Sequence, residues 1–97
     1  MIIISFRIVR EFVKIYPEAA NGLNRWYELM EAGDFDDFAQ LKNQFGTCDG
    51  VGNDRFVFNI SGNHYRLVAM IHFSKRTVYI RFIGTHKQYD KIDCSKI

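Results

Sequence analysis

The run RFVFNISGNHYRLVAMIHFSKRTVYIRFIG, Arg55–Gly84, decides the architecture. Its middle alternates with period two: Tyr65, Leu67, Ala69, Ile71 and Phe73 fall on one side, and His64, Arg66, Val68, Met70 and His72 on the other. Arg55–Ile60 alternates more loosely, and Ser61-Gly62-Asn63 between the two runs is a hairpin signal. Ser74-Lys75-Arg76 makes a second turn. After it, Val78, Ile80 and Phe82 are expected to face the core, with Tyr79, Arg81 and Ile83 opposite. Three such runs form an antiparallel meander with one apolar face that needs a cover.

The cover lies upstream. Met1–Ser5, with β-branched Ile2–Ile4, reads as a short strand in a buried setting. Phe6, Val9, Phe12, Val13 and Tyr16 then recur at helical spacing until Pro17 ends the run. Leu23, Trp26, Tyr27 and Met30 mark a second helix, with Gly33 as its left-handed C-terminal residue. Asp34–Asp37 supply N-caps for a third, shorter helix carrying Phe38, Leu41 and Phe45. Thr47–Asp54, with Gly50 and Gly52, reads as a flexible loop, and Thr85–Cys94 as a polar segment leaving the sheet. The expected fold is α+β: an N-terminal strand and two to three helices packed on an antiparallel sheet meander. At 97 residues it is expected to form a single domain over 1–97.

Composition narrows the function. A hydrophobic share of 47% with 25% charged residues is globular rather than disordered. No apolar run approaches the roughly 18 residues of a membrane span, and MIIIS lacks the basic start of a signal peptide. A cytoplasmic protein without membrane contact is expected. Cys48 and Cys94 are too few for a disulfide scaffold and have no metal spacing, so neither metal nor cofactor is expected. Charge is uneven. Residues 1–54 carry a net −4 and residues 55–97 a net +6, and His64, His72 and His86 all lie in the basic half. That distribution suits a polyanion on the sheet face opposite the helices, where Arg66 and Arg81 are expected and to whose margin His86 comes.

There is no Gly-rich phosphate loop, HExxH or CxxC. What remains is Arg66, Arg81, Lys87, Lys42, His86 and Tyr89. Metal-free RNA cleavage needs a base for the 2′-OH, cations for the phosphorane and an acid for the leaving 5′-oxygen. Arginine binds phosphate oxygens in a planar fork, and histidine exchanges protons near neutrality. Tyr89 suits base stacking, phosphate orientation or, with a lowered pKa, proton transfer. His64 and His72 share the Arg66 face, whereas Trp26 and Tyr27 read as core or helix-face residues.

Phe58–Ala69 (FNISGNHYRLVA), Tyr79–Arg81 (YIR) and Thr85–Asp90 (THKQYD), in this order, closely resemble the HigB-type toxins of the RelE/ParE superfamily. The resemblance implies the toxin of a type II toxin–antitoxin pair, a metal-independent mRNA endonuclease acting on messages engaged by the ribosome. It implies a HigA-type helix-turn-helix antitoxin as partner, with DNA contacted only through that complex. Carried onto this chain, it makes His86, Arg66, Tyr89 and Lys42 the catalytic candidates. Arg81, Lys87 and His64 are the expected RNA-binding residues. Thr47–Asp54 lacks lysine, so His86 carries more of the catalytic argument. Two other readings stay open: a ParE-like toxin that obstructs a protein target such as DNA gyrase, and an RNA-binding module that does not cut.

Overall fold

A computed structural model describes residues Met1–Ile97. Strand β1 is Ile2–Ile4, helix α1 Phe6–Ile15, helix α2 Ala20–Ala32 and helix α3 Phe38–Gln44. Strands β2 (Asp49–Gly52), β3 (Arg55–Ile60), β4 (Tyr65–His72) and β5 (Thr77–Thr85) follow, and a one-turn helix α4, His86–Tyr89, comes after them. The five strands form one sheet in the order β1-β5-β4-β3-β2. The α+β class holds, with the N-terminal strand joining the meander in parallel beside β5.

The helices cover the face that alternation assigned to the core. Val9 and Phe12 of α1, Leu23, Trp26 and Met30 of α2, and Leu41 of α3 join Phe58, Leu67, Ala69, Ile71, Val78 and Ile80 in one buried cluster. Each large apolar side chain among them contributes about 1.5–3 kcal/mol on burial, which is why a short chain relies on so many aromatics. Trp26 meets Phe58 edge-on at 5.5 Å, and Phe45 meets Phe58 likewise at 5.2 Å.

Four local expectations change. β5 pairs Val68 with Phe82 but Ala69 with Ile80, so Arg81 is an extra residue in a β-bulge. The bulge reverses the alternation beyond it: Ile83 joins the buried cluster, and Phe82 pairs with Val68 on the opposite face. Thr47–Asp54 is a strand and tight turn rather than a flexible loop. Asp49 and Gly50 pair with Val57 and Phe56, and Asn53 and Asp54 both adopt positive φ, the hallmark of a primed two-residue hairpin. Two glycines are weak strand formers, and Asn-Asp is a less conspicuous turn pair than Asn-Gly. Gly33 is extended (φ −77°, ψ 155°) rather than left-handed. A side chain there would meet the Phe35 ring at 2.4 Å, so packing rather than dihedral freedom requires the glycine. Ile2 and Ile4, expected in a buried strand, are 64% and 41% exposed because β1 is an edge strand with one open face.

One arginine closes the end of the fold near the N-terminus. Arg76 donates to the carbonyls of Phe35 (2.7 Å) and Phe73 (2.9 Å) and pairs with Asp34 (2.8 Å) and Asp36. It joins the α2–α3 connection to the β4–β5 turn. Hydrogen bonding from Arg76 holds the Asp36 carboxyl below its ordinary value of 3.8. The stabilisation it brings is therefore complete above that value and is lost as pH falls through the lowered one. We expect Arg76→Ala to lower the thermal midpoint at pH 7 by several degrees. The same variant flattens the loss of stability below about pH 4; calorimetry across pH 3–7 checks both.

Candidate active site

The polar residues collect on the sheet face away from the helices. On β4, period two puts Arg66 on this face, opposite Asn59 of β3 and Gly84 of β5. Gly84 permits the next step. A side chain there would stand 2.5 Å from the Phe82 ring and 2.8 Å from Gln88 Oε1. Beyond it, Thr85 opens α4 through a capping box: the Gln88 N–H donates to Thr85 Oγ1 (3.2 Å), and the Thr85 N–H donates to Gln88 Oε1 (2.9 Å). α4 lies against β4 and β5 and sets Tyr89 beside Arg66, the guanidinium carbon 6.0 Å from the ring centre.

Tyr89 is braced from the other side. Its hydroxyl lies 3.4 Å from Cys94 Sγ. Burial, and then this contact with Cys94, push the phenol up to about 12, against a smaller opposing pull from Arg66. The lowered pKa that a tyrosine base would need is absent; the phenol stays protonated at neutral pH and can serve only as a proton donor. The chain then returns across the same face. Asn53 Nδ2 donates to the Ser95 carbonyl and Arg55 Nε to the Ile97 carbonyl, both at 2.9 Å. Val57 and Val68, paired on this face, are buried although they stand outside the helix-side cluster. The face is thus partly roofed rather than fully open, which an alternation pattern alone does not reveal.

His86, the first residue of α4, is about half exposed and places Nδ1 3.1 Å from Asp90 Oδ2. When that nitrogen carries the proton toward Asp90, Nε2 remains free as a base. Lys42 donates to the Cys48 carbonyl at 2.6 Å and pairs with Asp49 at 3.6 Å. Asp49 is near enough to Tyr89 to raise its phenol further. Arg66 and Tyr89 thus form one contact and Lys42 and Asp49 another, with His86 three residues from Tyr89 on the same turn of helix. Arg81 in the bulge and Lys87 on α4 are exposed and form no ion pair. His64 sits in the β3–β4 turn, its ring 6.3 Å from that of Tyr65, and has no hydrogen bond to Arg66 or Tyr89.

Sequence reasoning missed Asp49, Asp90 and Cys94. The i,i+4 spacing of His86 and Asp90 was a readable signal; Cys94 reaches the Tyr89 hydroxyl from five residues downstream, and Asp49 comes to influence it only through tertiary folding.

Residues 19–92 match the family model HigB_toxin, described as the RelE-like toxic component of a toxin–antitoxin system. The chain belongs to the HigB toxin family. Among its relatives, the mRNA interferase toxin HigB of Escherichia coli (strain K12) is 32% identical over 92 residues, spanning 93% of this chain and 88% of the relative. The mRNA interferase HigB of Shigella flexneri matches to the same extent. That of Escherichia coli O6:H1 is 29% identical over 94 residues, or 95% of this chain and 91% of the relative.

The tyrosine environment is directly measurable. Cys94→Ala is expected to move the Tyr89 phenol down while leaving it above the ordinary 10, because burial remains. Arg66→Ala is expected to move it up. Ultraviolet titration differenced against Tyr89→Phe reads both shifts, with Tyr65, itself held at about 12 by its bond to Glu18, cancelling.

Proposed function

We propose that this HigB-family toxin acts as one RelE-like domain that cuts mRNA engaged on the ribosome and so stops translation. The observation that carries the reading is Arg66 beside a protonated Tyr89 on a sheet almost free of carboxylates, with His86 on the same helical turn. In this reading His86 Nε2 takes the proton from the 2′-OH while Asp90 holds the ring. The freed 2′-oxygen attacks the adjacent phosphorus, and the Arg66 fork stabilises the charge that builds on the phosphorane oxygens. The phenol of Tyr89 stacks beneath the guanidinium and offers a proton to the departing 5′-oxygen, a stronger base than a phenolate.

Lys42 neutralises Asp49 and keeps the local field positive. Arg81 and Lys87 add attraction for phosphate, and His64 borders the far turn. Two oxygens change bonds and two side chains exchange protons, so this sequence of steps uses the chain's own groups. The names of the enterobacterial relatives, mRNA interferases, support the substrate. A HigA-type antitoxin is the proposed inhibitor, and the cytoplasm, where translating ribosomes are found, the proposed location.

Ribosomes stalled on a defined message test this reading, with new RNA ends mapped by primer extension. We expect cuts that require ribosomes, and a fall of about 10²–10⁴-fold in rate for His86→Ala. Arg66→Lys should lose rate while ribosome binding persists, because an ammonium cannot reproduce the planar fork. Intact mRNA under conditions where the wild-type protein remains toxic would overturn the reading in favour of a protein target.

A further inference from the structure

β1, β3, β4 and β5 contain three arginines, Arg55, Arg66 and Arg81, and no aspartate or glutamate. On the face away from the helices, at the opposite end of β4 from Arg66, His72 and Tyr79 form a perpendicular pair with ring centres 5.8 Å apart. Their position follows from the register. His72 shares the Arg66 face by alternation, and Tyr79 stands opposite Met70 on the same face. Both residues are partly buried, and neither belongs to the buried cluster.

The returning C-terminal segment bonds to Asn53 and Arg55, on the β2–β3 side of the sheet. Tyr79 lies on β5, with only the short edge strand β1 beyond it. Arg81, unpaired in its bulge, follows two residues later. Arg66 and His72 are six residues apart on an extended strand, a span of ~20 Å. A cation stacked on an aromatic ring thus stands at one end of the face and a free aromatic pair at the other.

We propose that His72 and Tyr79 form a stacking platform for unpaired bases of an RNA strand lying along β4, its phosphates directed to Arg66 and Arg81. The inference rests on the RNA-cleaving reading and extends it to a subsite remote from the reacting phosphate. Aromatic faces bind any base, so the platform supplies affinity and register rather than sequence choice. The absence of carboxylates from four of the five strands favours a polyanion over a basic protein surface.

A fluorescent single-stranded oligoribonucleotide with 2′-O-methyl groups binds without being cut, because its attacking hydroxyl is blocked. Its anisotropy is measured against Tyr79→Ala, His72→Ala and Tyr79→Phe, with circular dichroism confirming the fold of each. Tyr79→Ala is expected to weaken binding about tenfold and His72→Ala several-fold, while Tyr79→Phe retains affinity. In the ribosome assay Tyr79→Ala should raise KM with little change in kcat. A 5-iodouridine oligomer photo-crosslinked to the wild-type protein should attach at Tyr79 or His72. Unchanged affinity in both alanine variants, or crosslinks confined to other residues, would overturn the platform and leave the patch to a protein partner. The two readings separate cleanly. Tyr79-dependent binding without any cleavage sinks the endonuclease and keeps the platform, whereas cleavage indifferent to Tyr79 and His72 does the reverse.

Discussion

The pairing register of β4 against β5 is the constraint on which everything else hangs. A slip of one residue would carry Leu67, Ala69 and Ile71 from the helix-covered side to the opposite one and bury Arg66 in their place. Helices α1 and α2 hold the register from one side with a continuous apolar surface. The bulge at Arg81 then uses the register rather than violating it. By adding one residue it returns Ile83 to the core, beside Leu67, and brings Gly84 opposite Arg66. The chain leaves the sheet there, and α4 can fold back over the arginine. Without the extra residue, the polar segment after β5 would begin in the other phase.

Electrostatics on the opposite face follow from what is missing as much as from what is present. The first half of the chain is acidic, yet its carboxylates are spent on the helices and on the Arg76 junction. Asp49, the sheet's one carboxylate, is held by Lys42. The face therefore keeps a positive character from a modest excess of cations. A net charge of +2 over the whole chain conceals this arrangement, because average charge carries no information about placement. Weak overall basicity supports the proposal that the protein meets its RNA in a larger assembly rather than by gathering free polyanions.

Tyr89 shows how packing sets chemistry. Its sequence context permits stacking, orientation or proton transfer, and its burial against Cys94 decides among them in the free protein. A phenol held near 12 is a donor and a platform, not a base. In the proposed mechanism the base is His86, whose Asp90 partner lies on the next turn of chain and whose second nitrogen is uncommitted.

The α+β class, the two to three helices, the β3–β5 meander and the placing of Arg66 opposite the core could be read from the chain alone. Each of these is written in a period of 3.6 or 2, and periodicity survives without knowledge of neighbours. His86 and Tyr89 were nominated by residue chemistry and by the short motif they share at the end of β5, not by a period. Tertiary packing alone set the phase of Ile83, the pairing of Gly50 and Gly52 in β2, and the approach of Asp49 to Tyr89. A bulge shifts phase through one unpaired residue that leaves no local mark. A glycine strand has no side chains to alternate, and contacts across forty residues exist only once the sheet has brought them together.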